Sequence, residues 1–332
     1  MLSALALAAC AAAIGVAGTL VSRYGDVIAA RTGLGGNWIG VVLLATVTSL
    51  PELATGVSAV TAGEAPDIAV GDVFGSCVFN LLLIVALDFL VRGESVYTRA
   101  RQGHILSAGF GVVLIGFAGF NVLLARDGPG WAIGHVGVYT PVILVLYAVA
   151  MRTVFRYETL NREEAVAESP RARGLTLKQA AARYAMASAV VVAAGVALPF
   201  AGKSLAADMG WQQSFVGTLF VAAVTSLPEA VVTVAAVRIG ALDMAIGNLF
   251  GSNLFNIAIL ALDDLLYAQG PLLARVSTAH AVSALSAIMM TGVAIVGLLY
   301  RPKMRLFKTV GWTSIALFVI YLLNAYLLYL RH

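Results

Sequence analysis

The residue types that could do chemistry are concentrated in a short motif that the sequence contains twice. Thr-Ser-Leu-Pro-Glu ends once at Glu52 and once at Glu229, which lie 177 positions apart. Positions four apart share a helix face, so Thr48 lies beside Glu52 and Thr225 beside Glu229. Each copy therefore presents a carboxylate together with hydroxyl oxygens. Hard cations such as Na⁺ and Ca²⁺ prefer such ligands, whereas soft metals prefer Cys or His.

The proline of each motif predicts a break in the helical hydrogen bonding. Pro51 has no N–H and its ring clashes with the preceding turn, so the carbonyl of Val47 loses its helical partner. Pro228 has the same effect on the carbonyl of Val224. A freed carbonyl in hydrocarbon is costly unless a polar group satisfies it, and a dehydrated cation is one such group.

A second motif follows each copy of the first. The two versions read Gly-Asp-Val-Phe-Gly-Ser-Cys-Val-Phe-Asn and Gly-Asn-Leu-Phe-Gly-Ser-Asn-Leu-Phe-Asn. A hydroxyl and an amide share a helix face in each, as Ser76 and Asn80 in the first and Ser252 and Asn256 in the second. The glycines, four apart within each copy, allow close helix approach. These glycines are Gly71, Gly75, Gly247 and Gly251.

Composition predicts a helical membrane protein that crosses the bilayer many times. Of the 332 residues, 60% are apolar and only 11% are charged, with a mean hydropathy of +0.92. A soluble protein has about 25% charged residues. Apolar runs of about 20 residues recur, each long enough to cross the hydrocarbon. The ten predicted spans are 4–30, 38–61, 68–91, 104–125, 131–152, 184–207, 214–237, 244–267, 278–299 and 307–330.

The distribution of basic residues predicts the orientation and relates the two halves. With the N-terminus outside, seventeen Lys and Arg residues fall on the cytoplasmic side and four on the other. Five spans per half is an odd number, so the second half enters from the opposite side and the repeats are inverted. We predict repeats at 1–152 and 184–332, carrying the motif segments 45–80 and 222–256, with a cytoplasmic linker at 153–183 and both termini outside.

Charge inside the bilayer distinguishes the candidate residues. A carboxylate at the bilayer centre costs at least about 2.5–3.5 kcal/mol, so Glu52 and Glu229 are predicted to bind ions. Asp72 stands where the second copy has asparagine, and fits either a helix N-cap or a residue through which a cation enters. Asp263 and Asp264, at the end of the eighth span, are predicted to be solvated.

Cysteine and histidine give no sign of a metal framework. Cys10 and Cys77 both lie in apolar runs, and a disulfide framework or zinc site would need more ligands at regular spacing. His104, His135 and His280 lie near span ends and do not form a ligand set. No cofactor is expected.

At these motifs the sequence resembles the cation/calcium exchanger superfamily, and specifically its prokaryotic sodium/calcium exchangers. Members carry Thr-Ser-Leu-Pro-Glu on one helix and Gly-Asn-x-x-Gly-Ser-Asn-x-Phe-Asn/Asp on the next, in each of two repeats. The resemblance covers the ten-helix layout, the central hydrophilic loop and both motifs. It implies that helices 2, 3, 7 and 8 form the ion site, while helices 1 and 6 slide across them to alternate access.

The resemblance also implies roles for individual residues. Glu52 and Glu229, with Thr48 and Thr225, would hold Ca²⁺ and contribute to Na⁺ sites. The flanking Na⁺ sites would be completed by Ser49, Ser76, Ser226 and Ser252 and by the carbonyls of Ala45 and Ala222.

Three positions depart from the pattern of that superfamily. Position 256 is Asn where many relatives have Asp, position 72 is Asp where Asn is usual, and Cys77 replaces the asparagine of Gly-Ser-Asn. The amide of Asn256 leaves two carboxylates in the central cluster, which still neutralise one Ca²⁺. Stoichiometry and potassium dependence stay open.

We therefore expect an all-α secondary antiporter, not an enzyme, that exchanges Na⁺ for Ca²⁺ by alternating access. The alternative is a Ca²⁺/H⁺ or K⁺-dependent exchanger of the same fold. An intramembrane protease is disfavoured because no second aspartate lies at the depth of Asp72 in a matching motif. A passive channel is disfavoured by the inverted halves. The expected partners are the transported Ca²⁺ and Na⁺ and the lipid bilayer, without nucleic acid, for a monomer in the cell (plasma or inner) membrane.

Overall fold

The computed structural model describes residues 2–62, 65–91, 94–127, 131–160, 175–208, 221–302, 305–306 and 310–331. In the first half the helices are α1 (Leu2–Thr32), α2 (Gly36–Thr48), α3 (Leu50–Thr61), α4 (Pro66–Leu90), α5 (Val96–Arg99), α6 (Gly103–Asp127) and α7 (Tyr139–Leu160). In the second they are α8 (Leu177–Asp208), α9 (Val221–Thr225), α10 (Leu227–Arg238), α11 (Leu242–Leu266), α12 (His280–Tyr300) and α13 (Trp312–Arg331).

The long apolar helices make this a multi-pass membrane protein. Among the described residues, eight helices are long and apolar enough to cross a bilayer, or nine if the bent pair α2–α3 is one span. The predicted seventh span, 214–237, begins in residues that lie outside the described ranges, and α9 and α10 are its described part. The count of ten therefore stays a prediction. Of the other nine predicted spans, eight overlap a long helix, and 38–61 overlaps the bent pair α2–α3.

Two short hairpins, which the sequence analysis did not predict, each precede a spanning helix. Strands β1 (Ala132–Ile133) and β2 (Val136–Gly137) pair before α7, and β3 (Arg305–Leu306) and β4 (Val310–Gly311) pair before α13. The first hairpin explains why α7 starts eight residues later than the predicted span 131–152.

The predicted proline breaks are present. Between α2 and α3 the chain bends by 43° at Ser49, whose ψ of 7° departs from helical geometry. Ser226, with a ψ of 9°, separates α9 from α10 in the same way. Pro51 and Pro228 lie in the first turns of α3 and α10, where the missing N–H has no helical partner to lose.

Asp88 and Asp264 are equivalent anchors near the ends of α4 and α11. Both are fully buried, so the expectation that Asp264 is solvated is wrong. The Asp264 carboxylate accepts hydrogen bonds from the backbone N–H groups of Gly137 and Leu272 and from the hydroxyls of Tyr139 and Thr140. It thereby joins the end of α11 to the β1–β2 hairpin and the start of α7.

The Asp88 carboxylate makes the equivalent set of contacts 176 positions earlier in the chain. It accepts hydrogen bonds from Ser95 Oγ and the Val96 N–H, and from the Gly311 N–H and Ser314 Oγ. The end of α4 is therefore joined to the β3–β4 hairpin and the start of α13. Each half of the chain anchors the hairpin of the other half.

The helices α4 and α11 run in opposite directions, because Asn80 contacts Asn253 while Asp72, earlier on α4, interacts with Asp263, later on α11. Asp67 Oδ1, at the start of α4, lies 2.9 Å from His280 Nε2 at the start of α12. Asp243 Oδ1, at the start of α11, lies 2.9 Å from His104 Nε2 at the start of α6. A 25-residue helix is about 37 Å long, so these contacts lie on opposite sides of the molecule. We call the two sides the Asp67 face and the Asp243 face.

Substitution of Asp264 by Asn should destabilise the protein. The amide keeps the shape but loses the charge and one acceptor oxygen, which leaves buried donors without a partner at a cost on the order of 3 kcal/mol. The check is thermal unfolding in detergent, where Asp88→Asn should give a drop of similar size. An Asp264→Asn protein that unfolds at the wild-type temperature would contradict this assignment.

Candidate functional site

The two glutamates lie at the helix breaks, buried between the two halves of the chain. Glu52 is the third residue of α3 and Glu229 the third residue of α10, and both are shielded from solvent almost completely. The breaks at Ser49 and Ser226 turn the end of α2 and the end of α9 toward the centre. The glutamate and the serine of each motif, Glu52 with Ser49 and Glu229 with Ser226, are therefore brought to one place.

The hydroxyl of each motif bonds the carboxylate of the other. Ser49 Oγ donates to Glu229 Oε1 at 2.9 Å, and Ser226 Oγ donates to Glu52 Oε1 at 3.2 Å. These two bonds occupy equivalent positions in the two halves. Neither half could build this arrangement without the other.

The serines of the second motif extend the same hydroxyl network. Ser226 Oγ, whose single hydrogen is donated to Glu52, lies 3.0 Å from Ser76 Oγ and can accept from it, and Ser252 Oγ donates to Glu229 Oε1 at 3.4 Å. These contacts add α4 and α11 to the site. The four serines thus surround the two carboxylates.

The two threonines also make equivalent contacts across the halves. Thr48 Oγ1 donates to Asn248 Oδ1 at 3.3 Å, and Thr225 Oγ1 donates to Asp72 Oδ1 at 2.9 Å. Asp72 is buried well inside α4, which begins at Pro66, so the N-cap interpretation is wrong. Its carboxylate is close enough to interact electrostatically with Glu52.

The amides of the second motif form the remaining wall of the site. Asn80 Nδ2 donates to Asn253 Oδ1 at 3.1 Å, and Asn253 Nδ2 donates to the carbonyl of Cys77 at 3.2 Å. The amide nitrogen of Asn256 lies 4.0 Å from the Cys77 sulfur. The donors of Asn80 and Asn256 are thus turned toward protein groups, which leaves their carbonyl oxygens available.

Four acceptor oxygens in the site have no hydrogen-bond donor among the described residues. They are Glu52 Oε2, Glu229 Oε2, Asn80 Oδ1 and Asn256 Oδ1. A buried acceptor without a partner is costly, and a buried carboxylate oxygen especially so. The oxygens come from α3, α10, α4 and α11, and a cation is the kind of group that satisfies such acceptors.

The two predicted backbone ligands lie in the short helices before the breaks. The Ala45 carbonyl in α2 already accepts hydrogen bonds from the Ser49 N–H at 3.0 Å and from Thr48 Oγ1 at 3.4 Å. Ala222 lies in α9, one turn before Ser226.

Within the described residues, no three His, Cys, Asp or Glu side chains converge as a metal-binding group. Any ion here must therefore rely on hydroxyl, amide and backbone oxygens besides the two carboxylates.

Glycines let α2 approach α11 closely beside the site. A Cβ on Gly251 would lie 2.5 Å from Val41 Cα, and one on Gly247 would lie 2.6 Å from the Asn37 carbonyl oxygen. The facing part of α2, Ile39–Leu44, is π-helical. This backbone-to-backbone packing, predicted from the glycine spacing, brings Thr48 Oγ1 within 3.5 Å of Ser252 Oγ.

The long helices α1 and α8 contact the site helices through features that the sequence analysis missed. A Cβ on Gly195 of α8 would lie 2.4 Å from the ring of Pro51, and one on Gly18 of α1 would lie 3.0 Å from Val231. Ser22 Oγ donates to the carbonyl of Val232 at 2.8 Å. Gly18 and Gly195 lie 177 positions apart, the spacing of the two glutamates, and this could have identified them.

Asp263 lies in surroundings that the sequence did not predict. It is fully buried, so its predicted solvation is wrong. It also interacts electrostatically with Asp72, although it stands in no motif that matches the one around Asp72. Asp263 lies seven residues after Asn256 on α11, a spacing that places both near one helix face.

Bent helices that place an oxygen-lined cluster between two halves of a multi-pass membrane protein are typical of a membrane transporter. The chain belongs to the sodium/calcium exchanger protein family, whose family model matches residues 2–156 and 180–327. The resemblance inferred from the motifs is therefore confirmed, and the chain is a transporter of the cation/Ca²⁺ exchanger class.

Individual relatives agree with this assignment. The chain is 31% identical over 225 residues to the inner membrane protein YrbG of Escherichia coli, an alignment that covers 67% of this chain and 66% of that protein. It is 28% identical over 277 residues to the sodium/calcium exchanger MaX1 of Methanosarcina acetivorans, covering 74% and 77% of the two chains. The chain thus spans about two thirds of the length of the Escherichia coli protein.

Solved structures show the same fold. The sodium-calcium exchanger NCX_Mj, soaked with 2.5 mM Na⁺ and 0.1 mM Ca²⁺, matches with a TM-score of 0.72 over 98% of each chain at 21% identity. The form soaked without Na⁺ and Ca²⁺ matches with a TM-score of 0.65 over 95% of this chain and 97% of that chain, at 20% identity.

The glycine packing predicts unequal effects of two Gly→Ala substitutions. Gly251→Ala should separate α2 from α11 and lower stability by about 1–3 kcal/mol, the usual cost of overpacking. Gly292→Ala in α12 is the control, because its Cβ would contact nothing within 4 Å. Thermal unfolding of both purified variants is the measurement. Equal unfolding temperatures for the two variants would refute the close-approach role of Gly251.

Proposed function

We propose that the chain is a secondary antiporter that exchanges Na⁺ for Ca²⁺ by alternating access. The observation that carries this proposal is the crossed pair of serine–glutamate hydrogen bonds, which leaves one oxygen of each glutamate without a donor among the described residues. Two buried carboxylates on facing helices, each with a free oxygen, are suited to one divalent cation.

The proposed ligand set combines charge with neutral oxygens. Glu52 and Glu229 together balance the charge of one Ca²⁺, and the hydroxyl, amide and backbone oxygens around them complete the six to eight ligands that Ca²⁺ takes. The proposed ion ligands are Glu52, Glu229, Thr48, Thr225, Ser49, Ser226, Ser76, Ser252, Asn80, Asn256 and the carbonyls of Ala45 and Ala222.

Coupling follows from the sharing of these ligands. Na⁺ prefers the same hard oxygens, so Na⁺ and Ca²⁺ compete for the two glutamates and the serines around them. A site loaded with either ion is neutralised, whereas an unloaded site keeps buried carboxylate charge that resists passage through an apolar barrier. Occupancy by one ion excludes the other, and this exclusion links the two fluxes.

The packing of α1 and α8 supports a mechanism for alternating access. These two helices pack along each other and lie across the broken helices, with Gly18 and Gly195 at the contacts. Small residues at a helix contact let one helix move along another without large side chains interlocking. We propose that α1 and α8 slide together past the site and expose it to one side at a time.

The equivalent contacts of the two halves support inverted repeats at 1–152 and 184–332. Asp88 with Asp264, and the Asp67–His280 with the Asp243–His104 contact, are related by the same offset and lie on opposite faces. Residues 153–160 continue α7 and residues 177–183 begin α8, so the proposed linker is helical at both ends.

The Asp243 face is proposed to be cytoplasmic, with ten spans and both termini outside. It carries Arg101, which pairs with Asp243 at 3.4 Å, and Arg301, which bonds the Ala100 carbonyl. Basic residues favour the cytoplasmic side.

We propose a monomer in the cell membrane. The names of the relatives, an inner membrane protein and sodium/calcium exchangers, support the location and the choice of ions.

Flux measurements in liposomes test the proposed exchange. Purified protein should take up radiolabelled Ca²⁺ when Na⁺ is loaded inside, and Glu52→Gln or Glu229→Gln should abolish the uptake because each removes a charged ligand. Glu158→Gln is the matched control, because this buried glutamate lies outside the site and its Oε1 accepts from Asn37. Normal Na⁺-driven flux in either site variant would refute the proposal.

The same liposomes separate the coupling ions. Equal Ca²⁺ uptake driven by a proton gradient without Na⁺ would replace the Na⁺ assignment with Ca²⁺/H⁺ exchange. A requirement for K⁺ together with Na⁺ would indicate the K⁺-dependent alternative. Leakage of Ca²⁺ without any counter-ion would indicate a passive pathway.

The amide at position 256 predicts a gain on substitution by aspartate. Asn256 Oδ1 has no donor among the described residues, and Asn256→Asp puts a third carboxylate at this position. The affinity for Ca²⁺ should therefore rise relative to that for Na⁺. Competition of Na⁺ against bound radiolabelled Ca²⁺ is the measurement, with Asn121→Asp outside the site as the control. An unchanged Na⁺ concentration for half displacement would show that position 256 does not face the ion.

A further inference from the structure

Asp263 is a buried charged residue that the central site does not use. It lies near the end of α11, toward the Asp67 face, and is fully buried. Both of its carboxylate oxygens are without a hydrogen-bond donor among the described residues. This contrasts with its neighbour Asp264, which accepts four hydrogen bonds. A carboxylate buried in this way is costly unless a charged partner is supplied.

The surroundings of Asp263 leave room for its carboxylate against α3. A Cβ on Gly56 would lie 2.4 Å from Asp263 Oδ2 and 2.8 Å from Oδ1, so any other residue at position 56 would displace the carboxylate. Gly56 follows Glu52 by one helical turn. Asp263 therefore lies about one turn from the central site, on the side of the Asp67 face.

A second carboxylate lies within electrostatic range. Asp72 lies five residues before Cys77 on α4, and Asp263 lies seven residues after Asn256 on the antiparallel α11. Because the Asn256 amide contacts Cys77, the two aspartates lie at a similar height. Thr225 Oγ1 donates to Asp72 Oδ1, and the electrostatic interaction of Asp72 with Asp263 agrees with this placement. Like charges in a buried region repel, and a divalent cation between Asp72 and Asp263 would convert that repulsion into attraction. Together the two carboxylates balance the charge of one such cation.

The equivalent positions in the other half carry none of these features. Asp72, Gly56 and Asp263 correspond to Asn248, Thr233 and Leu87. Asn248 Nδ2 donates to Thr233 Oγ1 at 3.0 Å, so that region is closed by a neutral hydrogen bond. The paired carboxylates therefore break the internal symmetry of the molecule on one side only.

We propose that Asp263 and Asp72 form a second divalent-cation site, which binds Ca²⁺ between the central site and the Asp67 face. The binding is independent of the exchange reaction. The role of this second site in transport rests on the proposed function. The site holds Ca²⁺ one helical turn from Glu52, where the ion passes to or from the Asp67 face. The asymmetry confines this step to the Asp67 face.

Ca²⁺ binding stoichiometry tests the proposal. Equilibrium dialysis of the purified chain against radiolabelled Ca²⁺ in Na⁺-free buffer should give two ions bound per chain at saturation. Asp263→Asn should lose one of them, and the Glu52→Gln/Glu229→Gln double variant should keep one. The triple variant should bind none. Wild-type stoichiometry in Asp263→Asn, or no bound Ca²⁺ in the double variant, would overturn the second site.

The double variant tests the proposal without any change at Asp263, so misfolding of Asp263→Asn would not prevent the test. Gly56→Ala keeps every charge but obstructs the carboxylate, and it should also lose one ion. Asp67→Asn is the control for charge on the same face, since Asp67 contacts His280 and is more than half exposed; it should keep both ions. Loss of an ion in Asp67→Asn would show a non-specific charge effect and overturn the assignment to Asp263.

The variants also separate failure of this proposal from failure of the proposed function. If Glu52 and Glu229 do not bind Ca²⁺, the wild type and the double variant each bind one ion, and Asp263→Asn binds none. If the second site is absent, Asp263→Asn keeps the wild-type stoichiometry, while Na⁺-driven uptake remains dependent on the two glutamates.

Discussion

The site depends on two hydrogen bonds that cross between the halves of the chain, from Ser49 to Glu229 and from Ser226 to Glu52. Each bond fixes one oxygen of a buried carboxylate, and the other oxygen has no donor among the described residues. Because the donor and the acceptor belong to different halves, the site exists only when both halves are packed together. The proline breaks are needed for the same reason. The break in each motif lets its serine and its glutamate both reach the other motif.

The helices around this crossing hold it in place through contacts between backbone atoms. Gly247 and Gly251 let α11 lie directly against the π-helical part of α2, while Asp88 and Asp264 tie the ends of α4 and α11 to the hairpins of the opposite half. These contacts hold the α2–α4 and α9–α11 regions together. The helices α1 and α8 contact these regions through Gly18, Gly195 and the Ser22 hydroxyl among other residues.

Much of this arrangement could be predicted from the sequence because the signals are local. A proline inside an apolar run favours a break, although α8 continues through Pro199. A duplicated glutamate in such a run has few structural explanations. The contacts of Asp264, Asp263 and Asp72 could not be predicted in the same way. Most of their partners lie far away in the chain, from Thr140 for Asp264 (124 positions) to Gly56 for Asp263 (207 positions). No local pattern distinguishes a solvated aspartate at a span end from a buried one.

The offset between the two repeats is a signal that could have predicted the burial of Asp264. Asp264 lies 176 positions after Asp88, the same offset that relates Ser252 to Ser76, and an aspartate kept at equivalent positions of both halves is unlike a solvated end. Asp263 has no such counterpart, because Leu87 occupies the equivalent position. Only the folded structure, which places its carboxylate against Gly56, shows that it is buried.

The central claim is that one cation is shared by carboxylates from both halves. The most direct measurement is the anomalous scattering of a crystal of this protein soaked with Sr²⁺ in place of Ca²⁺. The crossed arrangement predicts a peak between Glu52 Oε2 and Glu229 Oε2, with Asn80 Oδ1 and Asn256 Oδ1 turned toward it. A peak bound by only one of the two glutamates, or none near either glutamate at saturating Sr²⁺, would contradict it.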